Sequence, residues 1–162
     1  MRSSSLGIRR RASRVAAVQA LYQMEIAELP FEDALLDFEK RRLITSSDEN
    51  EVITPLNVDE VLFREIVEGV TFGLDRFDAV VDGVLEKQRD IERIEVLLRL
   101  ILRAGAYEIL DRPDIDPPLS INEYVAVSQA FFGGTEPKLV NGVLDRIAKI
   151  KQPLENSKDG KG

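Results

Sequence analysis

The chain of 162 residues contains no cysteine, no histidine and no tryptophan. Without cysteine there is neither a disulfide framework nor thiolate chemistry. Without histidine the commonest metal ligand and the commonest general base are both missing. No run of 18 apolar residues suggests a membrane span, and the opening MRSSSLGIRR lacks the apolar core of a secretory signal. The cytoplasm is therefore the expected compartment. Strand-type alternation and internal repeats are absent as well, which leaves an all-α reading with about seven helices.

What is present is ordinary for a globular protein: 44% hydrophobic and 31% charged residues. The length suits one domain, or two small helical halves sharing a core. Charge, however, is uneven. Residues 1–14 carry Arg2, Arg9, Arg10, Arg11 and Arg14 and no acid, a local +5; because the whole chain nets −7, the remainder carries −12. A basic arm on an acidic body points to an anionic partner at one end.

Residues 91–110 form the organising stretch. Wound as a helix, they gather Glu92, Glu95, Arg99 and Arg103 into one narrow polar stripe and surround it with apolar side chains. Such a helix must be enclosed by others. Around it, the spacing predicts helices over 9–27, 31–42, from a cap at Asn57 to Gly73, over 74–87, from Ser120 to Phe131 or Phe132, and from Thr135 onward. Residues 43–56 read as a loop, 1–8 as a flexible arm, and 152–162 as a tail. Ser120 and Glu123 have capping-box spacing, with Leu119 and Tyr124 as the staple. Gly105 and Gly142 are expected at close helix–helix contacts.

Three groups of residues invite a chemical reading. Asp75, Asp78 and Asp82 share one helix face, as a magnesium or acid/base site or as a solvated acidic face; with no histidine nearby, the solvated face is preferred. Glu108 falls on the apolar side of the central helix and needs a clamp of hydrogen-bond donors. Arg9, Arg10, Arg11 and Arg14 match phosphate, or else form a solvated basic tail. Tyr22, further along, stacks a splayed base or is partly buried in the core.

Three segments resemble the NusB family: RRRASRVAAVQALYQ (9–23), LILRAGAYEI (100–109) and SINEYVAVSQAF followed by KLVNGVLDRIAK (120–149). The resemblance implies two packed helical halves around a central buried helix, with a single RNA-binding domain over 9–151. It further implies binding of the boxA element of nascent ribosomal RNA together with NusE, a small-subunit ribosomal protein. That assembly works on elongating RNA polymerase with other Nus factors, and nothing is catalysed. On the same basis the RNA-binding residues are Arg9, Arg10, Arg11, Arg14, Gln19, Tyr22, Lys138 and Asn141. Leu139 stands where the family usually carries Phe. The rivals are the similar helical domain fused to RNA cytosine methyltransferases, which would need a separate catalytic chain, and a helical adaptor that binds no RNA.

Overall fold

The helical spacing is realised as seven helices in the computed structural model, which describes residues 5–46, 58–86 and 95–159. They are α1 (Ser5–Ala27), α2 (Phe31–Ser46), α3 (Glu60–Phe72), α4 (Leu74–Glu86), α5 (Val96–Asp111), α6 (Pro117–Phe131) and α7 (Glu136–Asp159). No strand occurs among the described residues. Two compact units result, Met1–Phe72 and Gly73–Gly162. Several boundaries differ from expectation: α1 takes in residues 5–8, α2 continues to Ser46, and α7 runs beyond Pro153 to Asp159. Extending a helix already nucleated adds one hydrogen bond per residue fixed, so helices outrun the segment whose side chains specify them. Asn57, the linking residues 47–56, Lys87 and the expected first turn of the central helix (91–94) lie outside the described residues.

In the first unit, α1 packs on α2 and α3. Ala17, Val18 and Leu21 are buried on α1; Leu62, Phe63, Ile66, Val67 and Val70 are buried on α3. Phe38 stacks on Phe63 with ring centroids 3.9 Å apart. Asp59 caps α3, its Oδ1 accepting the Leu62 N–H at 3.2 Å. An aspartate immediately before the apolar run is a favoured N-cap.

In the second unit, α5 touches α4, α6 and α7, and nearly every residue from Leu98 to Ile109 is buried. Its polar stripe is answered across α4. Arg103 forms a two-pronged pair with Asp78, at 2.6 and 3.1 Å. Arg99 reaches Asp82 at 2.5 Å. The aspartate row of α4 is therefore only in part a solvated face: Asp78 and Asp82 are counter-charges for α5, although the Asp82 side chain stays 48% exposed, and Asp75 is exposed. Charged groups this close are held by mutual pairing, a relation between helices that spacing within α4 alone does not contain.

The Ser120 box is also corrected. Prolines 117 and 118 start α6 earlier, because proline needs no helical N–H partner in the first turn. Asp116 becomes the N-cap residue, and Ser120 donates its N–H to the Asp116 carbonyl at 3.2 Å. Leu119 is exposed, so no staple forms with Tyr124. The Ser120 hydroxyl is left to donate to Glu108 Oε1 at 3.3 Å, with both residues fully buried.

The two glycines part company. A Cβ on Gly105 would lie 2.6 and 2.8 Å from the δ-methyls of Leu144, so α5 and α7 meet there at glycine distance. A Cβ on Gly142 would meet nothing within 4 Å among the described residues, which removes the expected contact. Leu144 is fully buried and has little room to yield. Gly105→Ala should lower stability by about 1 kcal/mol or more, overpacking outweighing the gain in helix propensity. Urea denaturation checks the sign.

Candidate nucleic-acid interface

The geometry of the arginine-rich stretch starts from Ser13. Its hydroxyl oxygen accepts the Asp59 N–H at 2.7 Å, and it lies 2.8 Å from the Asp59 carbonyl and 2.9 Å from the Arg9 carbonyl. This tie fixes which side of α1 faces α3. Arg14, about 100° further round the helix, is carried inward with it, and Arg11, about 160° away, is carried outward.

The four arginines consequently do different things. Arg14 is only 2% exposed, so it belongs to the interior of the first unit and not to its surface, against the expectation from the sequence. Arg10 is half-buried, with Nε 3.8 Å from Asp59 Oδ2, an ion pair longer than a hydrogen bond. Arg9 and Arg11 are exposed. Asp59 therefore both caps α3 and offsets Arg10. Its only signal in the sequence was an acidic residue just before an apolar run.

Gln19 and Tyr22 are exposed too, Tyr22 at 41%, which leaves its side chain partly buried and partly open to solvent. Arg11 and Tyr22 are eleven residues apart, within about 20° of three whole turns, so they lie on one line along α1 roughly 16 Å long. Gln19 flanks that line, and so do Ile8 and Ile26 on the same side, both well exposed. A guanidinium, an amide and an aromatic face on one accessible stripe are suited to a phosphate, a base edge and a base plane.

Lys138 and Asn141 belong to the second unit. They occupy the first turns of α7, one turn apart and both exposed. The Thr135 carbonyl accepts the Lys138 N–H at 3.1 Å and closes that turn. Leu139 between them is half-buried, so it presents less to solvent than its neighbours. Among the described residues, no group of three or more acidic, histidine or cysteine side chains is placed to hold a metal ion, and no helix is long and apolar enough to cross a membrane.

Comparison with known proteins gives one consistent result. The model of the NusB family matches residues 11–149. The transcription antitermination proteins NusB of Sinorhizobium medicae and Rhizobium rhizogenes are 42% and 44% identical over 140 residues, covering 86% of this chain and 86% of each relative. The solved structure of T. maritima NusB superimposes with a TM-score of 0.67 at 26% identity, covering 92% of this chain and 93% of that one. All three of the segments singled out in the sequence fall almost entirely within the matched region, and the chain belongs to the NusB family.

Proposed function

We propose that this protein is a transcription antitermination factor that binds the boxA element of nascent ribosomal RNA together with NusE. The reading places it in the cytoplasm, on elongating RNA polymerase with other Nus factors, and gives it no catalytic step. One observation carries it: within a chain of this family, Arg9, Arg11, Gln19 and Tyr22 project from α1 into solvent, while the body around them is acidic. Phosphate contacts from exposed arginines release counterions and supply affinity, and a stacked tyrosine tolerates any base. Lys138 and Asn141 add a second exposed cation and amide. The acidic remainder suits a basic ribosomal protein as the companion, since opposite charge speeds and orients docking.

Titration of a labelled boxA RNA with the protein, at two salt concentrations and with or without NusE, tests the reading. Arg9→Ala and Arg11→Ala together should reduce the slope of log K against log[salt] by roughly one to two and leave melting unchanged. An unaltered slope and affinity would mark the arginine stretch as a solvated tail, and a parent protein that does not bind the RNA would be a helical adaptor.

A further inference from the structure

The two most exposed large apolar side chains among the described residues, Phe72 at 74% and Val61 at 67%, both stand on α3. They are eleven residues apart, within about 20° of three whole turns, so they share a line roughly 16 Å long, with Glu68 on it as well. The Phe72 ring is held in place, because it meets Phe31 of α2 edge to face with centroids 5.5 Å apart. Single exposed apolar residues need no explanation, but aligned ones beside a cleft mark an interaction surface. Such a cleft runs between α2 and α3. Leu35, Phe38 and Phe63 line it, and Val61 stands at its lip. Its volume is about 200 Å³. A pocket for a small-molecule ligand encloses roughly 300–1,000 Å³. The smaller opening takes one or two side chains from a partner that stays outside.

The lips of the cleft are acidic. Glu39 on α2 and Glu60 on α3 line it, with Arg64 as the one base. Glu32, two turns before Glu39 on the same line of α2, and Glu68, one turn after Arg64 on α3, carry the same sign along the groove. All four glutamates are exposed. Lys40 is about 100° round α2 from Glu39 and turns away from the cleft. Arg41 pairs with Asp37 at 3.1 Å. Four carboxylates against one guanidinium repel phosphate, which disfavours a nucleic acid or an anionic lipid surface, and attract cations. Apolar anchors aligned over three helical turns match a helix with one apolar face, seated in a groove, and the charge calls for lysine or arginine beside that face.

We propose that the cleft between α2 and α3 is a docking groove for a basic amphipathic helix of a partner protein. Its apolar side chains pack between Val61 and Phe72, and its cations meet Glu32, Glu39, Glu60 and Glu68. This adds a protein contact on the first unit to the RNA-binding reading above and does not depend on it.

The test uses the full chain and a fluorescein-labelled peptide of about four helical turns, built from leucine and lysine with the leucines gathered on one face. A peptide of the same composition in scrambled order is the control, and fluorescence anisotropy gives both affinities. The facial peptide should bind at least about tenfold more tightly than the scrambled one. Val61→Ser with Phe72→Ser should weaken it by about tenfold and change melting little, since both side chains are exposed. Glu39→Lys with Glu68→Lys should weaken it as much, whereas Asp75→Lys with Glu95→Lys, at exposed acids of the second unit, should not. Equal binding of the two peptides, or equal losses from the two pairs of charge reversals, would show only general attraction to an acidic protein and overturn the groove. So would a parent protein that is dimeric in sedimentation and becomes monomeric with Val61→Ser and Phe72→Ser, because the groove would then hold a second copy. Affinity for boxA RNA should be the same in that serine variant as in the parent; a loss would make the cleft part of the RNA surface and overturn the proposal too. A parent that binds the facial peptide but no boxA RNA would end the RNA-binding reading and leave the groove standing.

Discussion

Arg14→Ala should destabilise the first unit by about 3 kcal/mol, lowering the melting temperature by roughly 6–12 °C, while the RNA affinity of the folded fraction stays near that of the parent. Arg14 is among the largest fully buried side chains of the protein. Truncating it removes packed volume and a satisfied interior charge together, and both losses act on the folded state. Arg14→Lys keeps the charge but not the planar fork, so it should recover only part of the loss. Arg11→Ala, three residues earlier and exposed, should do the reverse: unchanged melting, weaker binding and a shallower salt dependence. Thermal melts alongside RNA titrations of the three variants decide the matter. Intact stability with abolished RNA binding in Arg14→Ala would place that guanidinium on the RNA.

The second large effect lies at Glu108. Its carboxylate is wholly buried, and it accepts the Ser120 hydroxyl across the gap between α5 and α6. Glu108→Leu should cost about 1–3 kcal/mol, because it strands donors that water cannot reach. Glu108→Gln keeps the shape and one acceptor and should cost less. Ser120→Ala removes one donor and leaves the carboxylate short of a partner. In the double variant, Glu108→Leu with Ser120→Ala, one stranded group disappears along with its partner, so the combined loss should fall below the sum of the single losses. Urea denaturation of the four proteins measures this. Strict additivity would show that the 3.3 Å contact contributes nothing of its own. Affinity for boxA RNA serves as the control and should not follow the stability losses.

These two residues show how differently the chain advertises its parts. Glu108 was legible because its place in the 3.6-residue period of the central helix put a carboxylate on the apolar side, and helix geometry allows no other orientation. The identity of its partner group was not legible. A pair of prolines moved the start of α6 back, which turned Ser120 from a cap into a side-chain donor. Local capping rules score each candidate cap alone, and here two candidates competed for one helix start.

Arg14 is the opposite case. A run of arginines looks like one cluster in sequence, because charge there is counted and not oriented. On a helix, neighbours in that run lie about 100° apart, and a single tie between Ser13 and Asp59 divides them into surface and interior. Asp78 and Asp82 of α4 were misread in part for the same reason: their partners, Arg99 and Arg103, sit on another helix.

The sequence by itself determined the all-helical class, the enclosure of the central helix, the close approach at Gly105 and membership of the NusB family. Each of these rests on periodicity or on residues in a fixed order along the chain, and both survive without coordinates. Tertiary structure decided which arginines face solvent, which carboxylates are counter-charges and which glycine is open. Those are questions of rotation about a helix axis and of the helix alongside, set when the apolar faces of separate segments are buried together.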